Sequence, residues 1–98
     1  MIAPKECKNI DEVRNCIDQI DIQIIKLLSL RFDYVKEVIK YKPQDEAGVK
    51  AIDRYNSVLK KRRQMAIETG LDPDVIENVY RSLLDYFIDE QKKMINLK

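Results

Sequence analysis

The sequence predicts an all-α fold, three helices in a single domain spanning residues 1–98. Three observations carry that expectation. The chain holds only 2 Gly and 3 Pro in 98 residues, too little turn chemistry for a many-stranded sheet. Apolar side chains recur at alternating threes and fours over long stretches, the spacing of a helix face. The breaks in that pattern coincide with capping residues, proline and glycine.

The first helix is expected over residues 10–41. This stretch contains no Gly or Pro, and Asn9 or Asp11 can cap its start. Lys42 precedes Pro43 and is thereby pushed out of the α region, which ends the helix. At the usual rise such a helix is about 50 Å long, against about 26 Å for a globule of this size. It therefore overhangs its own subunit. Residues 42–49 form the first break, containing Pro43 and Gly48. They are expected to close over a ligand, with Gly48 as the hinge. The second helix is expected over residues 50–68, ended by Gly70 where a positive φ is needed. The third, over residues 73–95, has the clearest start: Asp72 as N-cap, Pro73 in the first turn, Asp74 favoured by the helix dipole.

Composition excludes whole classes of chemistry. The 18 Lys and Arg nearly cancel the 17 Asp and Glu, which argues against a strongly basic nucleic-acid binder or a polybasic membrane anchor. The run Lys60-Lys61-Arg62-Arg63 reads as a solvated face of the second helix rather than a nucleic-acid patch. A recognition helix also fits poorly behind so long a first helix. No apolar run approaches the roughly 20 residues that span a bilayer. Residues 1–10 lack the apolar core of a secretory signal. The expected location is the cytoplasm, with Cys7 and Cys16 as reduced, small buried hydrophobes. The absence of His removes Ser–His and Cys–His nucleophile pairs and most zinc sites.

The informative residues are polar ones in apolar rows. Stepping along the first helix gives Arg14, Ile17, Asp21, Ile24, Leu28, Arg31, Val35, Val38 and Lys42. On the third, Gln91 interrupts the row Leu84, Phe87, Gln91, Met94. Cations in a core are costly unless paired. Either carboxylates such as Asp21 and snorkelling satisfy them, or the stripe lines a cavity built for an anion. Arg31 and Lys42 are eleven residues apart, about 16 Å of rise on nearly one azimuth, so they can converge on one small molecule. Arg14 and Arg31 are seventeen apart, about 25 Å, and cannot clasp the same small ligand on one chain. A second chain must then supply one of them. The overhanging apolar stripe independently asks for a two-fold partner. The expectation is an intertwined homodimer with two equivalent sites.

The set Arg14, Arg31, Lys42, Arg54 and Gln91 resembles the all-α chorismate mutases. Within that fold the chain is most similar to the isochorismate–pyruvate lyases of bacterial salicylate (siderophore) biosynthesis. The likeness runs through Pro4 to Cys7, Val13-Arg14, Ile17-Asp18, Ile20-Asp21, Asp33 to Lys36, Thr69 to Asp72 and Glu90-Gln91. It implies an intertwined dimer of three-helix chains, a dianionic substrate with an enolpyruvyl ether, and no cofactor or metal. Arg14 would reach a substrate carboxylate from across the interface, and Arg31 would hold the other carboxylate region. Lys42 would sit beside the ether oxygen. Gln91 would hydrogen-bond that oxygen or the adjacent carboxylate, and Arg54 would support the carboxylate or ring side.

Departures from the mutase pattern favour the lyase. Mutases commonly carry a Glu after the helix-2 Arg to grip the ring hydroxyl; Tyr55 stands there, as a substrate-binding candidate. Where mutases may carry a Ser one turn before the Gln, this chain has Phe87, as the lyase has an aromatic. The spacing of twelve between Lys42 and Arg54 is the more mutase-like feature. The resemblance thus implies isochorismate–pyruvate lyase activity with secondary mutase activity. The alternatives are a dedicated chorismate mutase of aromatic amino-acid biosynthesis and, outside enzymes, a helical dimerisation module.

Overall fold

The computed structural model describes residues 1–42 and 45–95. Its helices are α1 (Ile10–Val38), α2 (Glu46–Lys50), α3 (Ile52–Thr69) and α4 (Pro73–Met94), with 3-10 turns at Pro4–Glu6 and Ile39–Tyr41. There is no strand among the described residues, so the all-α expectation holds. The chain forms two compact units, Met1–Tyr34 and Val35–Lys98.

The first unit is the N-terminal turn and most of α1. Asn9 caps the helix: its Oδ1 accepts from the Glu12 N–H at 2.9 Å. The Glu12 carboxylate reaches back to accept from the Lys8 N–H at 2.8 Å. The pair is a variant of the reciprocal capping box, satisfying two backbone donors that precede the first helical bonds. α1 buries none of its residues, although Ile17, Ile20, Ile24, Ile25 and Leu27 lie along it. Arg14 and Asp21 are exposed and Arg31 is half-buried. In the single chain the stripe is therefore a surface rather than a core. Cys7 and Cys16 are half-buried free thiols, not the fully buried hydrophobes expected.

The second unit contains the core. Val58, Leu59, Tyr55 and Ala66 on α3 and Phe87 on α4 are buried, joined by Ile39 and Val49 from the connecting segment. The α3 positions follow the i, i+3, i+4, i+11 spacing of one helix face. α3 packs along α4, and α2 also packs on α4. Arg63 ties the beginning of α4 to α3, with Nη1 2.7 Å from Asp74 Oδ1 and 3.3 Å from Glu77 Oε1. Glu77 also holds Arg81 at 3.0 Å. Arg62 lies over the Tyr80 ring, 5.5 Å from its centroid. Two members of the basic run are thus engaged in joining α3 to α4, while Lys60 and Lys61 are exposed.

Helix ends follow local chemistry closely. Asp72 Oδ1 accepts from the N–H groups of Asp74 and Val75, at 2.8 and 3.2 Å. Gly70 takes φ 82°, and Leu71 N–H returns to Ala66 O at 2.9 Å, the Schellman closure. Lys42 is extended at φ −123°, ψ 152°, as its place before Pro43 requires.

Three expectations are corrected. The last turn of the first helix tightens to 3-10 at Ile39–Tyr41 instead of staying α-helical. Part of the expected loop is helix α2, capped by Asp45, whose Oδ1 accepts from Gly48 N–H at 2.7 Å. Gly48 is thereby fixed inside a helix and is not a hinge. Pro43 and Gln44 of that expected loop lie outside the described residues. α3 begins at Ile52 rather than residue 50, because Ala51 turns left-handed at φ 44°. Ala51 both closes α2 and opens α3, its N–H on Ala47 O and its own carbonyl receiving Tyr55 N–H, each at 2.9 Å.

Candidate functional site

Lys42 stands where the 3-10 turn following α1 gives way to extended chain. Its backbone N–H closes that turn on Ile39 O at 3.4 Å. Its half-buried side chain runs to the connecting segment, with Nζ donating to the Val49 carbonyl at 3.3 Å. Val49 is buried and anchored by its N–H on Asp45 O at 2.9 Å. The ammonium is thus held by a fixed backbone dipole, with no ion pair to a carboxylate among the described residues. Burial lowers its pKa from the ordinary lysine value, because the charged form loses hydration. A cation so placed retains electrostatic reach for an anionic ligand.

Among the described residues Gln91 is the one buried side chain of the polar and charged types, 3% exposed. Its Nε2 donates to the Val35 carbonyl at 2.8 Å. Because a carbonyl oxygen can only accept, the NH2 end of the amide is the one that faces Val35. The Val35 carbonyl belongs to the last turn of α1, and as an acceptor with two lone pairs it can take this side-chain donor beside its helical bond. Gln91 therefore ties α4 to the last turn of α1, and its amide has a second hydrogen and an acceptor oxygen with which to meet a ligand. Gln91 and Lys42 bracket the two ends of the segment 35–42.

Tyr55 and Phe87 are both buried in the packing of α3 on α4. The Tyr55 hydroxyl donates to Asp85 Oδ1 at 2.7 Å, and the Arg81 guanidinium lies 6.0 Å from the ring centroid. Burial, then the Asp85 hydrogen bond and charge, push the Tyr55 pKa up, and Arg81 partly opposes them. The Phe87 ring meets Tyr86 at 5.2 Å with a 39° tilt. The Tyr55 hydroxyl thus gives its proton to Asp85 and keeps its oxygen lone pairs as acceptors. Arg54 is exposed in the first turn of α3.

In the other unit, Arg14 and Arg31 lie on one uninterrupted helix. Seventeen residues at the α-helical rise separate them by about 25 Å. The separation on which the two-chain argument rested is therefore present in the fold. The partners Val35, Val49, Asp85 and Arg81 were not foreseen. Two of them act through backbone carbonyls, which carry no side-chain signature. Asp85 meets Tyr55 across thirty residues of sequence, a pairing that helical periodicity does not encode. No helix among the described residues is long and apolar enough to cross a membrane.

Comparison with known proteins agrees with this pattern. A family model described as chorismate mutase type II matches residues 13–92. The isochorismate pyruvate lyase of Pseudomonas aeruginosa is 34% identical over 93 residues, covering 95% of this chain and 91% of that protein. The T-proteins of Haemophilus influenzae and Enterobacter agglomerans are each 33% identical over 74% of this chain, but over only 19% of their own length. The family match opens one residue before Arg14 and closes one residue after Gln91, so it encloses Arg14, Arg31, Lys42, Arg54, Tyr55, Phe87 and Gln91. With all-α architecture, the spacing of its cations and this match in agreement, the chain belongs to the chorismate mutase type II family.

Proposed function

We propose that the chain is an isochorismate–pyruvate lyase with a weaker chorismate mutase activity, working as a cytoplasmic homodimer whose subunit is one chorismate mutase-like domain. The observation that carries this reading is the likeness to the Pseudomonas aeruginosa lyase across nearly the full length of both chains. Tyr55 supports it: the position where mutases commonly grip the ring hydroxyl holds a side chain whose hydroxyl is bonded to Asp85. The free thiols suit a reducing compartment.

The reaction asks little covalent chemistry of the protein. Pyruvate leaves with a methyl group where the enolpyruvyl ether had a methylene. One hydrogen therefore passes from the ring to that carbon as the ether bond breaks and the ring becomes aromatic, giving salicylate. A concerted step of this kind needs no nucleophile. The protein has to hold a compact reactive conformer and stabilise the negative charge growing on the ether oxygen. In this reading Lys42 supplies the opposing positive charge and Gln91 a hydrogen bond. Arg31, Arg54 and the partner subunit's Arg14 clamp the carboxylates, as planar guanidinium groups do bidentately. The rings of Tyr55 and Phe87 form apolar wall. The exposed apolar stripe of α1 supports a second chain, since isolated chains rarely leave so much aliphatic surface in water.

The test is to give the purified protein isochorismate and chorismate separately, following salicylate fluorescence and loss of chorismate absorbance. Salicylate and pyruvate in equal amounts, formed much faster than prephenate from chorismate, is the expected result. The reverse ratio makes the protein a dedicated mutase. Turnover of neither leaves a helical dimerisation module.

A further inference from the structure

The N-terminal unit holds two sulfur atoms that the proposed reaction does not use. Cys7 Sγ lies 3.7 Å from the Ala3 carbonyl oxygen. Cys16 Sγ lies 3.9 Å from the Ile2 carbonyl oxygen. The two thiols therefore converge on consecutive carbonyls of one short stretch. The Cys16 thiol is also near enough to act electrostatically on the Cys7 thiol. Both are free and half-buried, so a small reagent can reach them.

The chain between them is fixed rather than loose. Glu6 N–H closes the 3-10 turn on Ala3 O at 2.9 Å, and Cys7 N–H closes on Pro4 O at 3.4 Å. The Asn9–Glu12 capping pair then sets where α1 starts. Cys16 follows in the second turn of that helix. Each sulfur is thus carried on hydrogen-bonded backbone, and their juxtaposition belongs to the fold.

We propose that Cys7 and Cys16 are a thiol–disulfide modification site, which on oxidation staples the N-terminal turn to the second turn of α1. The co-reactant is a low-molecular-weight disulfide such as oxidised glutathione. One protein thiolate attacks a sulfur of the reagent, forming a mixed disulfide and releasing one reagent thiolate. The second protein thiol loses its proton and attacks the protein sulfur of that mixed disulfide. The intramolecular S–S bond forms, and the second reagent thiolate leaves and takes up a proton. Two protein thiols are oxidised, and one reagent disulfide is reduced to two thiols. Burial, then the neighbouring Cys16 and the Glu12 carboxylate, raise the Cys7 pKa. Thiolate being the nucleophile, Cys7 is slower than an ordinary cysteine at neutral pH and the exchange quickens as pH rises.

The experiment equilibrates the full chain in glutathione redox buffers, once native and once in urea. Free thiols are counted after acid quench, and products are read by intact mass and by non-reducing peptide mapping. The expected result is loss of both thiols together, a mass lower by two hydrogens and a linked Cys7–Cys16 peptide. The native chain should favour the disulfide at least tenfold over the chain in urea, because the fold has already brought the sulfurs together. Stable glutathione adducts on both cysteines, an interchain disulfide, or an equilibrium no more favourable than in urea would each overturn the proposal. The native-against-urea comparison needs no variant. Cys16→Ser adds a second reading, in which Cys7 should retain a stable glutathione adduct that the unsubstituted chain resolves.

Discussion

At the scale of single residues, the account rests on where polar groups are placed and what already occupies them. Lys42 is half-buried against a carbonyl, and Gln91 is buried with one donor committed to the end of α1. For Lys42→Ala the expected loss is about 10²–10³ in kcat/KM, the usual worth of one donor at a developing oxyanion. Circular dichroism should be unchanged. The pH dependence follows from the sign of the Lys42 shift. Its pKa is lowered, so the ammonium discharges at a lower pH than the free value of about 10.4. Activity should be flat through pH 6–7, since the chain has no His, and fall on the alkaline side before a free lysine would titrate. A steep limb near neutrality in the steady-state rate would contradict this assignment. Tyr55→Phe separates packing from recognition. It removes the hydroxyl from Asp85 and should cost about 1 kcal/mol of stability in urea denaturation. With the ring retained, kcat/KM should stay within a few-fold. The candidate cations and Gln91 were legible in the sequence because a polar residue in an apolar row is costly and conspicuous. The partner of Tyr55 was not, because an Asp on a helix surface looks the same whether it faces water or a hydroxyl on the next helix.

At the scale of elements, the helix ends were legible where side chains make them. Asn9, Asp72 and Gly70 behave as their types dictate. The short α2 was hidden: five residues give no periodicity to detect, and Pro43 and Gly48 nearby read as loop. The left-handed Ala51 was hidden for a related reason, since alanine advertises helix and here does the work usually given to glycine. The two left-handed positions make a matched pair. Gly70→Ala meets no atom within 4 Å, so its cost is that of the backbone alone. That cost should be about 1 kcal/mol. Ala51→Gly relieves the same strain and should raise stability, by less than about 1 kcal/mol because glycine also loosens the unfolded chain. Both are read from denaturation midpoints at constant m-value. A stabilising Gly70→Ala would contradict the left-handed caps.

At the scale of the whole molecule, the sequence's long helix is present, and so is the apolar surface along it. What periodicity could not convey is that α1 buries nothing in the single chain. A repeating apolar row reports that a face is covered, never by which chain. Arg14 and Arg31, about 25 Å apart on that helix, belong to one anionic site only if two chains share it. The most direct measurement of this claim mixes two inactive proteins. Arg14→Ala and Lys42→Ala should each be nearly inactive alone. Co-denatured and refolded together, half the dimers are mixed and one of their two sites is intact. The account predicts recovery of about a quarter of the unsubstituted activity, as two-fold exchange requires. Mixed dimers demonstrated by mass yet no more active than either parent would contradict a site of cations shared between chains.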